Sequence, residues 1–172
     1  LLAPLLGLGL LLAVQNAFAK PPTAFTATSQ VLKDGSPMGE ASIRLRPGEP
    51  GEWIYSKDVK GTGGLAALLG ANISETSHFR WKGDVPEAIS YDYRLDAAIK
   101  TKQRHLVVDW ANHQVSVDDG KGPHTYPARP GMVERITSAL AIGLALRDGQ
   151  QQIALPVAVR QERAPRARTA SA

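Results

Sequence analysis

The stretch NISETSHFRWKGDVPEAISYDYRL, residues 72–95, decides the fold. Ile73, Phe79 and Trp81 share one parity, and Ser74, Thr76, His78 and Arg80 share the other. Side chains alternate across a strand with a period of two, so this is a strand with one apolar and one wet face. Lys82, Gly83 and Asp84 turn the chain. From Pro86 onward Ile89, Tyr91, Tyr93 and Leu95 alternate against Ser90, Asp92 and Arg94. Two alternating runs around a tight turn predict an antiparallel pair.

The same pattern extends in both directions. On the C-terminal side Leu106, Val108 and Trp110 alternate with His105, Val107 and Asp109, and a shorter run covers residues 114–117. On the N-terminal side strands are expected at residues 25–33, 40–46 and 52–60, the first two joined by the hairpin signal Asp34-Gly35. No helix intervenes between these strands, which predicts an antiparallel meander rather than a parallel α/β sheet. One helix is expected at residues 132–146, where Val133, Ile136, Leu140 and Leu144 fall at helical spacing and Ile142 and Leu146 widen the stripe. A last strand is read at residues 151–159, with Pro156 suiting an edge. The expected fold is mainly β: a curved antiparallel sheet or open half-barrel with one packed α-helix.

Between the third and fourth strands lies GTGGLAALLGA, residues 61–71. It is too short for an independent helix. Glycines bracket it, so it reads as one helical turn or a sharp bend at the rim of the sheet. Leu65, Leu68 and Leu69 are the candidate rim or gate residues.

The chain has 172 residues, room for one domain with a real core. Residues 1–14 are mostly apolar and lead to Ala17-Phe18-Ala19 and Lys20, the pattern of a signal peptide cleaved after Ala19. That apolar run is shorter than the ~20 residues a spanning helix needs, so no stable span is expected after cleavage. The domain is then residues 20–159, and the expected location is the periplasm. There is no cysteine, which removes disulfides, thiol nucleophiles and Cys-based zinc sites. The net charge is +4. Residues 160–172 hold four arginines and one glutamate, a net +3, which leaves +1 for everything before them. The basic residues therefore form a tail, read as disordered, and nucleic acid is not expected as a partner.

No motif names a reaction. His78, His105, His113 and His124 have no ligand spacing, so no metal or cofactor is expected. Ser90, Asp92 and His105 meet the residue types of a triad without its geometry, and surface residues on a sheet are the plainer reading. A hydrolase-type site near Tyr91, Asp92 and His105 is the third option. The aromatic and aliphatic set carries more. Trp53, Phe79, Trp81, Tyr91, Tyr93, Leu106, Val108 and Trp110 converge on one face, either as a packed core or as a cavity for a hydrophobic, lipid-like ligand. An envelope protein that binds another protein through its sheet edge is the alternative.

The order of GTGGLAALLGA, SYDYR (residues 90–94) and TYPARPG (residues 125–131) before a helix, behind an exported start, resembles the bacterial envelope family catalogued as domain of unknown function 3108. The resemblance implies an open, strongly curved antiparallel barrel with a helix across its mouth, similar to the lipoprotein-localisation carriers. It implies no activity and no catalytic residue. It also implies further strands after LPVAV (residues 155–159), where this chain turns arginine- and alanine-rich, as a truncated or frame-shifted terminus would.

Overall fold

The computed structural model describes residues 22–158; the expected leader at residues 1–19 and the expected disordered tail at residues 160–172 lie outside the described residues. Eight strands form one antiparallel sheet in chain order: β1 (Phe25–Lys33), β2 (Ser36–Pro47), β3 (Trp53–Gly61), β4 (Asn72–Lys82), β5 (Val85–Ala97), β6 (Lys100–Asp109), β7 (Gln114–Asp118) and β8 (His124–Pro127). Among the described residues the sheet does not close, because β1 and β8 each pair on one side only. The β1–β2 turn is the expected one, with Asp34 and Gly35 both at positive φ (50° and 76°), as a two-residue hairpin of matching twist requires.

A short helix, α1 (Gly64–Leu68), sits between β3 and β4, and a longer one, α2 (Arg135–Arg147), packs against β4 and β5. The face under α2 is called inner here. Odd-numbered positions of β4 point inward: Phe79 is fully buried and Ile73 and Trp81 partly so. Two clusters fill the space between α2 and the sheet. One joins Leu45, Phe79 and Leu140, with Trp53, Trp81 and Leu144 packed against them. The other joins Ala88, Tyr91, Leu106, Val108, Val115, Val117, Tyr126, Met132 and Ile136, with Tyr55, Tyr93 and Trp110 at its margin. No helix among the described residues is long and apolar enough to cross a membrane.

Four expectations are corrected. Ile89 does not continue the inner row: a bulge between His78 and Phe79 sets Ser90 opposite His78 and Ala88 opposite Phe79, so Ala88 takes the inward place. The helix begins at Arg135 rather than Met132. Val133 is held extended by a parallel bridge to Val157, and Glu134 caps the first turn. Ile142 and Leu146 do not widen the buried stripe but are 43% and 66% exposed, because the buried face runs through Ile136, Thr137, Leu140, Ala141 and Ala145. Residues 151–158 form no strand; Val133 N–H donates to Pro156 O (2.9 Å), Ala158 N–H donates to Val133 O (2.7 Å), and Ala158 is buried in the core. β8 was not expected. It is four residues long and ends at Pro127, too short for its alternation to register.

Candidate functional site

The register stacks the inner face into rows. One row runs Tyr55, Ser77, Tyr91, Leu106, Val117, His124 across β3 to β8. The next runs Lys57, Glu75, Tyr93, Arg104. The first row is half core and half polar, and the second is polar throughout. The first turn of α2 lies over both, bringing Glu134 and Arg135 down onto them.

Glu75 is the centre of this belt. It is 1% exposed, although it stands on a strand. A buried carboxylate is costly unless its charge is compensated. The Tyr91 hydroxyl donates to its Oε2 at 2.7 Å, and the Arg135 Nε and Lys57 Nζ approach at 3.5 and 3.9 Å. Burial, and then this bond to Glu75, hold the Tyr91 phenol far above its usual range, so Tyr91 remains a donor. Arg135 also stacks over the Tyr93 ring at 5.4 Å.

Glu134 is a second buried carboxylate, 0% exposed. It accepts from the backbone N–H groups of Ile136 (2.9 Å) and Thr137 (3.0 Å), and its own N–H donates to Thr137 Oγ1 (3.0 Å). This is a reciprocal cap with the acid placed at the positive end of the helix. Burial pushes its pKa up, partly offset by Thr137, Ser77 and the two amides. Ser77 approaches this carboxylate without closing a hydrogen bond of normal geometry. Burial, and then the Glu134 charge, raise the Tyr55 pKa in turn.

A third carboxylate, Glu87, fixes the segment entering α2. It is 0% exposed and takes Arg80 at 2.7 Å, Lys82 at 3.2 Å and the Gly131 N–H at 2.9 Å. Burial alone would raise its pKa; the Gly131 amide, Arg80 and Lys82 outweigh that and hold it below the usual carboxylate range.

Of the expected apolar set, Phe79, Tyr91, Leu106 and Val108 are buried in the two clusters, and Trp53, Trp81, Tyr93 and Trp110 pack at their margins. Trp110 also donates from Nε1 to Ala88 O (3.0 Å) and lies under Arg80. Leu65 and Leu68 lie on α1, which connects β3 to β4 and has no buried residue: they are 64% and 80% exposed, and Leu69 just after it is half-buried. Asp92 and His105 do meet, Oδ1 to Nδ1 at 2.7 Å, but on the outer face, where both are more than half exposed. Tyr91 is on the opposite face, so the three do not converge. No group of three or more His, Asp or Glu side chains among the described residues has the spacing to hold a metal.

Sequence reasoning missed Glu75, Glu87 and Glu134. The signal for Glu75 was present: an acid at an inward position, two residues from Ile73 and four from Phe79.

Two concavities among the described residues could hold a ligand. One, of about 650 Å³, borders β1. Its walls are mainly outer-face positions, with Thr28, Ser42, Asp58 and Ser74 in one register row and Glu40 and Lys60 in the next, and the inner-parity row Ser29, Ala41, Val59 and Ile73 runs between them. The other, of about 640 Å³, lies between β6, the β7–β8 loop and Arg135. Comparison with protein families, with curated proteins and with solved structures gives no match.

Proposed function

We propose that this is a non-enzymatic binding protein of the bacterial envelope that takes an extended segment of a partner protein as an added strand along β1. The outer edge of β1, which pairs with no strand among the described residues, carries the reading. Phe25 to Leu32 contains no charge and no proline, and every residue of β1 except Val31 is exposed. Sheet edges are ordinarily blunted by charge, proline or shortness, because an open row of N–H and C=O groups recruits other chains. The opposite edge is blunted in this way: β8 has four residues and ends in Pro127. An edge left open on one side only suits strand addition, with main-chain bonds supplying affinity and alternate side chains supplying specificity. The cavity beside β1 has three acids in its wall, Glu40, Asp58 and Asp96, against one base, Lys60, which favours a partner with a basic side chain on that face. The exported location rests on the leader pattern of residues 1–19, and the resemblance to an envelope family points the same way.

The test is selection of extended peptides on the full chain, followed by hydrogen exchange. Bound peptide should protect the amides of residues 25–31, and Thr26→Lys with Thr28→Lys should weaken binding at least tenfold without lowering stability. Peptides that protect other amides instead, or that bind the lysine variant equally well, overturn the reading.

A hydrophobic ligand on the inner face is the second reading. It is favoured by one observation: α2 covers β4 and β5, while the inner positions of β1 and β2 extend past it, with Phe25 39% exposed and Ile43 only half-buried. Lipid extracted from the purified protein and identified by mass spectrometry would support it, and its absence would leave the edge reading alone.

A further inference from the structure

We infer that the cleft between β6, the β7–β8 loop and the start of α2 binds a phosphate group. It is independent of the β1 edge and lies towards the other side of the sheet. Its volume of about 640 Å³ falls in the range of small-molecule sites. Four cations line it, Lys102, Arg104, Lys121 and Arg135, against one acid, Asp119. They come from three separate segments. Lys102 and Arg104 occupy inner-face positions of β6, Lys121 comes from the β7–β8 loop, and Arg135 from the first residue of α2. Convergence of like charges from separate segments costs self-repulsion that an anion relieves.

A row of solvated surface charges is the bland account, and Arg104 argues against it. Its Nε is buried and has no hydrogen-bond partner among the described residues. A guanidinium N–H out of reach of bulk water asks for an acceptor, and the planar fork of arginine matches two oxygens of one phosphate. Arg104 also sits close enough to Tyr126 for its charge to act against the burial that raises the phenol pKa. The Arg104 side chain is half-buried, at the inner position next to the buried Leu106. Arg135 is positioned from the other side by the Tyr93 ring and by Glu75. The cleft exceeds what inorganic phosphate fills, so the ligand is a phosphate ester. Two sources share that chemistry, a soluble phosphorylated small molecule and the head group of an anionic lipid.

The test uses the full chain at low salt, because screening weakens such contacts. Titration with sn-glycerol 3-phosphate should saturate, moving the Arg104 side-chain resonance and the amides of residues 101–104 and 119–121. Arg104→Gln and Lys121→Gln should each weaken binding about tenfold or more, while Lys33→Gln on the distant β1–β2 hairpin should leave it unchanged. Should Arg104→Gln fail to fold, Lys102→Gln and Lys121→Gln decide the matter. Flotation with phosphatidylglycerol vesicles but not phosphatidylcholine vesicles, lost in Lys121→Gln, identifies the lipid source; soluble binding without flotation identifies the small molecule. Shifts that never saturate, or equal losses in Lys33→Gln and Lys121→Gln, overturn the site and reduce it to diffuse charge. Neither result bears on strand addition at β1.

Discussion

The Tyr91 hydroxyl donates a 2.7 Å hydrogen bond to the Glu75 carboxylate, two residues 16 positions apart that are 2% and 1% exposed beneath α2. Tyr91→Phe removes the one short bond Glu75 makes and leaves only Arg135 at 3.5 Å and Lys57 at 3.9 Å. A buried acceptor stripped of its donor costs about 1–3 kcal/mol. Replacing both partners with apolar groups of similar shape is far milder, because Lys57 and Arg135 are 36% and 58% exposed and return to water. Urea unfolding should therefore rank Tyr91→Phe below the double variant Tyr91→Phe with Glu75→Met. Equal loss in both would mean the bond contributes nothing beyond packing.

The buried acids Glu134 and Glu87 should give opposite pH signatures. The folded pKa of Glu134 lies above its ordinary 4.5. Its contribution to stability is then fully present below 4.5 and is lost as pH rises through the folded value. The folded pKa of Glu87 lies below 4.5, so its contribution is fully present above 4.5 and is lost as pH falls through the depressed value. Denaturant midpoints measured from pH 3 to pH 7 should show that Glu134→Gln removes a decline on the alkaline side of 4.5. Glu87→Gln should remove one on the acid side. Parallel curves for the two variants contradict this assignment.

Along α2 the spacing of Leu140, Ile142, Leu144 and Leu146 offers two faces, and the structure buries one. Leu140 is 9% exposed and packs on Phe79 and Leu45. Leu140→Ala should cost about 2–5 kcal/mol, as truncation in a packed core does. Ile142→Lys and Leu146→Lys should each fall within about 0.5 kcal/mol of the parent, since both side chains are exposed. Thermal unfolding of the three variants decides it.

That helix shows why some of this fold was legible and some was not. A period of two is unambiguous where strands are long, so β4, β5 and β6 and their inner rows could be read directly. Within an apolar helix, Ala141 and Ala145 serve the buried face as well as leucine does when the sheet comes close, and hydrophobicity alone then also marks the exposed Ile142 and Leu146 as buried. The bulge at Ala88 and Ile89 was invisible because both residues are apolar. The polar belt was missed for another reason. Glu75 and Glu134 are 59 positions apart, and only tertiary packing brings both to the inner rows. The parity of β4 marks Glu75 as inward, but nothing local marks Glu134 as buried.

The glycines of GTGG make a separate prediction. Gly63 has an ordinary backbone, with φ −138°, so conformation does not demand glycine there. Space does: a Cβ at Gly63 would lie 2.2 Å from Pro37 O, because the segment is drawn onto β2 by the Thr62 and Gly63 N–H groups, both donating to Met38 O at 3.0 and 3.2 Å. Gly70 is the opposite case. Its φ is +56° and nothing lies within 4 Å of its missing Cβ. Gly63→Ala should cost about 1–3 kcal/mol from overpacking and should abolish exchange protection at the Thr62 and Gly63 amides as the segment is pushed off β2. Gly70→Ala should cost about 1–2 kcal/mol from left-handed backbone alone and leave those amides protected. If both variants lose protection alike, the close approach of this segment to β2 is not what the glycine at position 63 serves.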